Sequence, residues 1–266
     1  MDVLSERGDG KSAAPERGTA LGKAVLVLQA FSAEDRGVTF TELTERTGLP
    51  KSTLHRILGE LVALKLVDRD GGRYRLGGGL FELGMRASVE RTLLEVATPF
   101  MEDLYERTHE TVHLGVREGV EVVYIAKFGG HRQAEAPSRI GGRLPLYCTA
   151  VGKAMLAHAS ADVLAATVRG GLLRRTPRTI TAPGILRQQL DQVIATGVAF
   201  EFEESARGLV CVGSPVFEGE TVVAAVSVAG PVTRFRPQGH ADAVRAAAAG
   251  MSATLARRAA LTHPGA

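Results

Sequence analysis

The stretch from Thr39 to Leu64 constrains the fold more than any other part of the chain. Thr39-Phe40-Thr41-Glu42 has the spacing of a capping box, and Val38 and Leu43 fall at the two positions of a hydrophobic staple. Gly48 supplies the left-handed stop that helix C-termini prefer, so the helix opened at Thr39 is short. Pro50 then sits where a helix's first turn tolerates a missing N–H. Leu54, Ile57, Leu58 and Leu61 follow at i, i+3, i+4 and i+7, one apolar face of a second helix. Its other face carries Lys51, Ser52, Thr53, His55 and Arg56. Two short helices across a tight glycine turn, the second showing cations and hydroxyls, predict a helix-turn-helix.

A Lys/Arg face alone is equally the mark of a solvated helix, so the continuation decides. From Leu66 to Leu76 two extended runs flank Asp70-Gly71-Gly72, a strong hairpin signal. Arg69, Arg73 and Arg75 arm that hairpin. A basic hairpin directly behind a recognition helix is a wing, placed to lie on the phosphate backbone or in the minor groove. Between Arg46 and Arg75 there are seven Lys/Arg and three Asp/Glu, whereas the whole chain carries only +3. The expected partner of this segment is double-stranded DNA.

At 266 residues the chain is too long for one winged helix and long enough for a second core. Cys148 and Cys211 are its only cysteines, which gives neither a disulfide framework nor a metal-ligand spacing. No metal and no cofactor is expected. No run approaches the roughly 18 apolar residues of a membrane span, and Met1 to Thr19 lacks the apolar core of a signal peptide. The expectation is a cytoplasmic protein with no membrane partner.

In chain order, residues 1–19 are expected to be a disordered arm, since Met1 to Arg17 is rich in Gly, Ser and charge. Residues 20–78 form the winged domain, whose first helix is the amphipathic run Leu21 to Phe31. Leu80, Leu83, Gly84 and Ala87 predict a linker helix, residues 79–91, that transmits state between domains. Residues 92–262 form the second domain. It opens with a helix near Leu93 to Thr108, and from Thr111 the period changes to two, with a hairpin over Val112–Val116 and Val122–Ala126. Lys127 to Gly142 is a long loop whose His131, Arg132 and Arg139 are placed to cover a pocket or join a dimer contact. Helices are predicted at Thr149 to Ala159, Ala161 to Val168, Ile185 to Thr196 and His240 to Ala260, and strands at Leu209 to Phe217 and Thr221 to Val228. Strands in antiparallel hairpins enclosed by helices imply an α+β fold: an N-terminal winged helix-turn-helix, a helical linker and a C-terminal GAF/PAS-like effector-binding domain.

Thr41-Glu42-Leu43, the run Gly48-Leu49-Pro50-Lys51-Ser52-Thr53-Leu54-His55-Arg56 and Gly72-Arg73-Tyr74-Arg75-Leu76-Gly77 resemble the DNA-binding domain of the IclR family of bacterial transcription regulators. Leu144 to Ala154, Gly197 to Val216 and Ala225 to Pro231 resemble that family's effector-binding domain. The resemblance implies a ligand-responsive regulator, a repressor first, that binds a palindromic operator as a homodimer or homotetramer. It implies a small organic effector such as a carboxylic or aromatic acid. The pocket positions matching the family's are Ala150, Val151, Glu201, Cys211 and Ser227. The sequence departs from the family where Glu201 replaces an Asp, Tyr147 a His and Ala229 a Ser, which speaks against the small oxo-acid of the family's namesake.

At the DNA end, groups near a recognition helix's N-terminus meet base edges while flanking groups hold phosphates. Arg56 is the best base reader, because guanidinium bonds guanine O6 and N7 together; Ser52, Thr53 and His55 share its turns. Lys51, Arg69, Arg73 and Arg75 suit phosphates. At the ligand end, the start of the Thr149 helix offers free N–H groups to a carboxylate, although Thr149 serves equally well as that helix's own cap. Cys211 and Ser227 sit in apolar runs where small buried fillers are common. Glu201 to Glu204 holds three carboxylates that read equally as a solvated face; within a pocket, Glu201 would favour a hydroxyl or amine on the ligand. The competing readings are a ligand-independent architectural DNA binder and an enzyme fused to a helix-turn-helix. The second is disfavoured: no GxSxG, HExxH, P-loop or GxGxxG occurs, and a helix-to-strand change separates His109 from His113.

Overall fold

The computed structural model describes residues 18–86, 88–129 and 137–262. Residues 1–17 of the expected arm and the loop residues His131 and Arg132 lie outside them, while Thr19, expected in that arm, caps the first helix by accepting the Gly22 N–H. The chain divides into two compact units, Met1–Ser88 and Val89–Ala266.

The first unit contains α1 (Ala20–Gln29), β1 (Val38–Thr39), α2 (Phe40–Thr47), α3 (Lys51–Ala63), β2 (Val67–Asp70), β3 (Arg73–Leu76) and α4 (Gly78–Gly84). The capping box at Thr39 is formed from both sides, and α2 stops at Gly48 with φ +64°. Both staple residues, Val38 and Leu43, are buried. Pro50 is the N-cap of α3, one place outside the helix it was expected to begin. The four residues of the predicted stripe, Leu54, Ile57, Leu58 and Leu61, are buried, against Val27, Val67 and Tyr74. The wing is a three-stranded sheet in the order β1-β3-β2. Its turn has Gly71 at φ +51° and Gly72 at φ +81°, the two positive values a type I′ hairpin needs.

The single linker helix expected over 79–91 is instead two. α4 ends at Gly84, and α5 (Ser88–Thr108) begins afresh and runs on through Pro99. Glycines at 77, 78, 79 and 84 give the segment little helix propensity. Two of them have another duty: a Cβ at Gly77 would lie 2.4 Å, and one at Gly79 2.7 Å, from the Lys65 carbonyl. The Gly79 N–H donates to that carbonyl at 3.1 Å, which fastens α4 to the turn after α3.

The second unit continues with β4 (Thr111–Glu118), β5 (Glu121–Phe128), β6 (Arg143–Pro145), α6 (Ala150–Leu156), α7 (Ala161–Arg169), α8 (Pro183–Thr196), β7 (Ala199–Phe202), β8 (Leu209–Glu218), β9 (Thr221–Pro231) and α9 (Ala241–Thr262). The strands form one antiparallel sheet in the order β6-β5-β4-β9-β8-β7. α5 and α9 cover one face, where Met101, Leu104 and Met251 meet Val112, Leu114, Val212 and Val228. α6 and α8 cover the other side through Val151, Met155, Leu186 and Leu190. The fold class is therefore the expected α+β, GAF-like arrangement, but with both faces of the central strands buried. Thr111 and His113, which alternation alone would turn outward, are 1% and 3% exposed.

Candidate functional site

In the first unit, α3 splits its residues as its periodicity requires. Lys51, Ser52, His55 and Arg56 are exposed. Thr53 is half-buried, because it stands one turn before Ile57 on the flank of the apolar stripe. Arg56 pairs with Glu60 at 2.6 Å, with both side chains more than half exposed, so the pair is weak and yields readily to a stronger acceptor. His55 lies edge-on to Phe40 at 6.3 Å. On the wing, the Arg69 guanidinium sits 5.6 Å over the Tyr74 ring and Arg75 reaches Asp68 at 3.3 Å. Arg73 donates to the Gly37 carbonyl at 2.9 Å, so it also braces β3, a role its sequence position does not reveal.

In the second unit, strand register assembles the pocket. Glu201 pairs with Cys211, Cys211 with Ala229, and Ser227 with both Gly213 and His113. Residues two apart on a strand share a face, so Glu201, Cys211, Ser227 and His113 stand on one face of four neighbouring strands. Gly213 lies among them: a Cβ there would come within 3.1 Å of the Ala150 carbonyl carbon. Its absence lets the start of α6 rest on the sheet. Gly115 does the same beside Val151, whose Cγ1 would be 2.8 Å from an added Cβ.

The resulting cleft is lined by Ala150, Val151, Glu201, Cys211 and Ser227, together with His113, Tyr124, Ser138 and Ser205. Its volume is about 10 Å³, room for about one water. Five of the six residues expected at an effector site thus meet in one place. Thr149 does not line the cleft; its hydroxyl accepts the Gly152 N–H at 3.0 Å as the cap of α6, and the N–H groups of Ala150 and Val151, in the helix's first turn, have no partner within the helix. His113, Tyr124, Ser138 and Ser205 were missed. His113 was the most accessible of these, since pairing the Val112 hairpin with the Ser227 strand places it opposite Ser227.

Electrostatically the cleft is a set of neutral groups around one carboxylate. Burial and then Lys127 lower the His113 pKa to about 3, so its ring is neutral near pH 7. Its Nε2 lies 2.7 Å from Ser138 Oγ. Burial raises the Glu201 carboxyl, and bonds from the Ser205 hydroxyl and N–H partly offset this. Burial, then Glu201, pushes the Cys211 thiol well above the usual thiol range, the opposite of a reactive thiolate. Glu201 and Glu204 are both buried, at 2% and 3% exposure, so the run 201–204 is not a solvated face. Glu204 forms an ion pair with Lys153 at 2.6 Å. No group of three or more metal-ligating side chains occurs among the described residues, and none of their helices is long and apolar enough to cross a membrane.

Residues 20–71 match the profile of the IclR helix-turn-helix domain, and residues 85–253 that of the bacterial transcriptional regulator IclR C-terminal domain. The chain is 37% identical over 225 residues to the HTH-type transcriptional regulator KdgR of Escherichia coli K12, covering 83% of this chain and 85% of KdgR. It is 33% identical to the HTH-type transcriptional regulator BhcR of Paracoccus denitrificans, covering 90% and 88%. Among solved structures, an IclR homologue from Microbacterium hydrocarbonoxydans complexed with 4-hydroxybenzoate has a TM-score of 0.85 at 30% identity, covering 89% of this chain and 99% of that one. The Thermotoga maritima IclR has a TM-score of 0.73 at 31% identity, covering 89% and 98%.

Proposed function

The chain belongs to the IclR family of bacterial transcriptional regulators, and from that premise we propose that it is a cytoplasmic repressor whose grip on a palindromic operator is set by a small hydroxylated acid bound in the cleft of its second unit. Lys51, Ser52, Thr53, His55 and Arg56 of α3 meet the major groove, with Arg56 reading a guanine, and Arg69, Arg73 and Arg75 hold phosphates. A palindrome calls for two copies, so the working form is a homodimer or a pair of dimers.

The observation that carries the effector reading is the convergence of Ala150, Val151, Glu201, Cys211 and Ser227 on one cleft from α6 and three strands. A ligand hydroxyl donates to Glu201, and its acid group takes the Ala150 and Val151 N–H groups. An aromatic acid suits this polarity, in keeping with the 4-hydroxybenzoate of the Microbacterium relative. The cleft holds about 10 Å³, far less than such a ligand needs, so binding selects a form in which α6 stands off the sheet. That requirement converts occupancy into a shape change. The buried, protonated Cys211 and the neutral His113 fit a sensor that returns its ligand unchanged.

The test is a panel of hydroxylated aliphatic and aromatic acids against full-length protein. An effector raises the unfolding temperature without turnover and shifts operator affinity roughly 5–150-fold, and Ser227→Leu removes both responses. Equal affinity for operator and random DNA, or an effector response untouched by Ser227→Leu, overturns the proposal.

A further inference from the structure

A second cavity, of about 330 Å³, lies between α8 and the edge strand β7, within the range that holds a small organic molecule. Phe200 and Phe202 share the side of β7 that faces it, their rings stacked at 6.1 Å and 20°, and Val193 of α8 completes an apolar wall. Its polar part is Lys153, Gln189 and Gln192. Lys153 is only 1% exposed, and its ammonium donates to Gln189 Oε1 at 2.7 Å and Glu204 Oε1 at 2.6 Å. An ammonium has three hydrogens, so one remains. With its oxygen engaged by Lys153, Gln189 has its NH₂ left to donate, and the exposed amide of Gln192 adds another. Glu204, the carboxylate of the pair, is not on the cavity wall. What the cavity presents is therefore a cluster of donors beside a flat aromatic wall.

We propose that this cavity is a second small-molecule site, distinct from the inner cleft, that takes a monocyclic aromatic carboxylate. The ring lies along Phe200 and Phe202, and the carboxylate oxygens receive the free Lys153 hydrogen and the amides of Gln189 and Gln192. The site touches the inner cleft through one turn. Glu201, which lines the cleft, accepts from Ser205, while Glu204 between them holds Lys153. An acid in the outer cavity draws on Lys153 and so acts on the turn that carries Glu201.

The probe is 4-fluorobenzoate, followed by fluorine NMR as it is titrated into full-length protein. Wild type and Ser227→Leu broaden the probe signal with dissociation constants within about twofold of each other, whereas Gln192→Trp, which fills the cavity from an exposed position, weakens binding about tenfold or more. Thr196→Phe, another exposed lining position, gives the same loss and guards against misfolding of the first variant. Binding abolished by Ser227→Leu but kept in Gln192→Trp places the probe in the inner cleft and overturns the inference, as does absence of broadening up to about 10 mM probe. The inference does not rest on the inner-cleft assignment, which is judged separately from the operator response of Ser227→Leu.

Discussion

Acidification weakens the second unit at His113, and the size of the effect follows from its surroundings. The ring is 3% exposed, with Ser138 Oγ at 2.7 Å and Ser227 Oγ at 3.5 Å from its two nitrogens and Tyr124 at 5.2 Å between centroids. The nearby cation Lys127 donates to the Ser138 carbonyl. Burial and Lys127 bring its pKa from 6.5 to about 3. A depressed folded value means that the stability is present in full above pH 6.5 and is lost as pH falls toward 3, because only the unfolded chain takes up the proton. The loss is negligible at pH 7.5, about 2 kcal/mol at pH 5 and about 3 kcal/mol at pH 4. Urea unfolding, followed by circular dichroism since the chain has no Trp, measures it in wild type and His113→Gln. Carboxylates titrate alike in both, so the difference isolates His113. Between pH 7.5 and 5 the wild-type midpoint falls about 1 M further than the variant's, for a urea dependence of about 2 kcal/mol per M. Parallel pH profiles refute the reasoning.

Arg56→Ala costs about 1–3 kcal/mol on the operator and nothing on random DNA, while Arg73→Ala weakens both and lowers the salt slope by about one; anisotropy titrations at several salt concentrations separate them. Because Arg73 also holds the Gly37 carbonyl, its loss lowers the first unit's stability by about 1 kcal/mol. Thr39→Ala removes the hydroxyl end of the capping box and destabilises the first unit by about 1 kcal/mol, seen as a lower unfolding midpoint; an unchanged midpoint denies the cap any energetic role. Lys153→Met leaves Glu204 buried without its cation and costs about 3–5 kcal/mol, most of which Lys153→Met with Glu204→Leu recovers. A double variant as weak as the single one shows that the loss is packing, not charge.

The first unit was readable because its signals are local. The capping box, the Gly48 stop, the four-residue stripe and the Asp-Gly-Gly turn each lie within a few residues, and each sits where the sequence puts it. The segment after Leu76 was misread because its glycines answer to the Lys65 carbonyl, a contact formed only once the wing has folded. In the second unit the long strands and helices were legible, but β6 and β7 were not, being too short to display a period, and the same holds for the two-residue β1 of the first unit. β7 misleads further. Ala-Phe-Glu-Phe looks like a strand with its charge outward, yet Glu201 points into the protein, where Ser205 satisfies it. The partner that makes a buried carboxylate tolerable comes from the following turn, and a strand's pattern carries no mark of it.

The same turn explains why the pocket was partly legible and partly hidden. Residues recognisable at a distance, Cys211 and Ser227, lie on central strands whose apolar runs fix their position. The residues that complete the cleft arrive by register: His113 opposite Ser227, Glu201 opposite Cys211. Two glycines then decide what closes it. Gly213 and Gly115 bring α6 onto the sheet at van der Waals distance, so the cleft is tight because nothing separates helix from strands there. A close-packed contact has little room for gradual deformation. On the proposed effector reading a ligand displaces α6 as a unit, and α6 carries Lys153, whose ammonium donates to Gln189 of α8 and to Glu204. Motion begun at Ala150 reaches Gln189 and Glu204 along one short rigid helix.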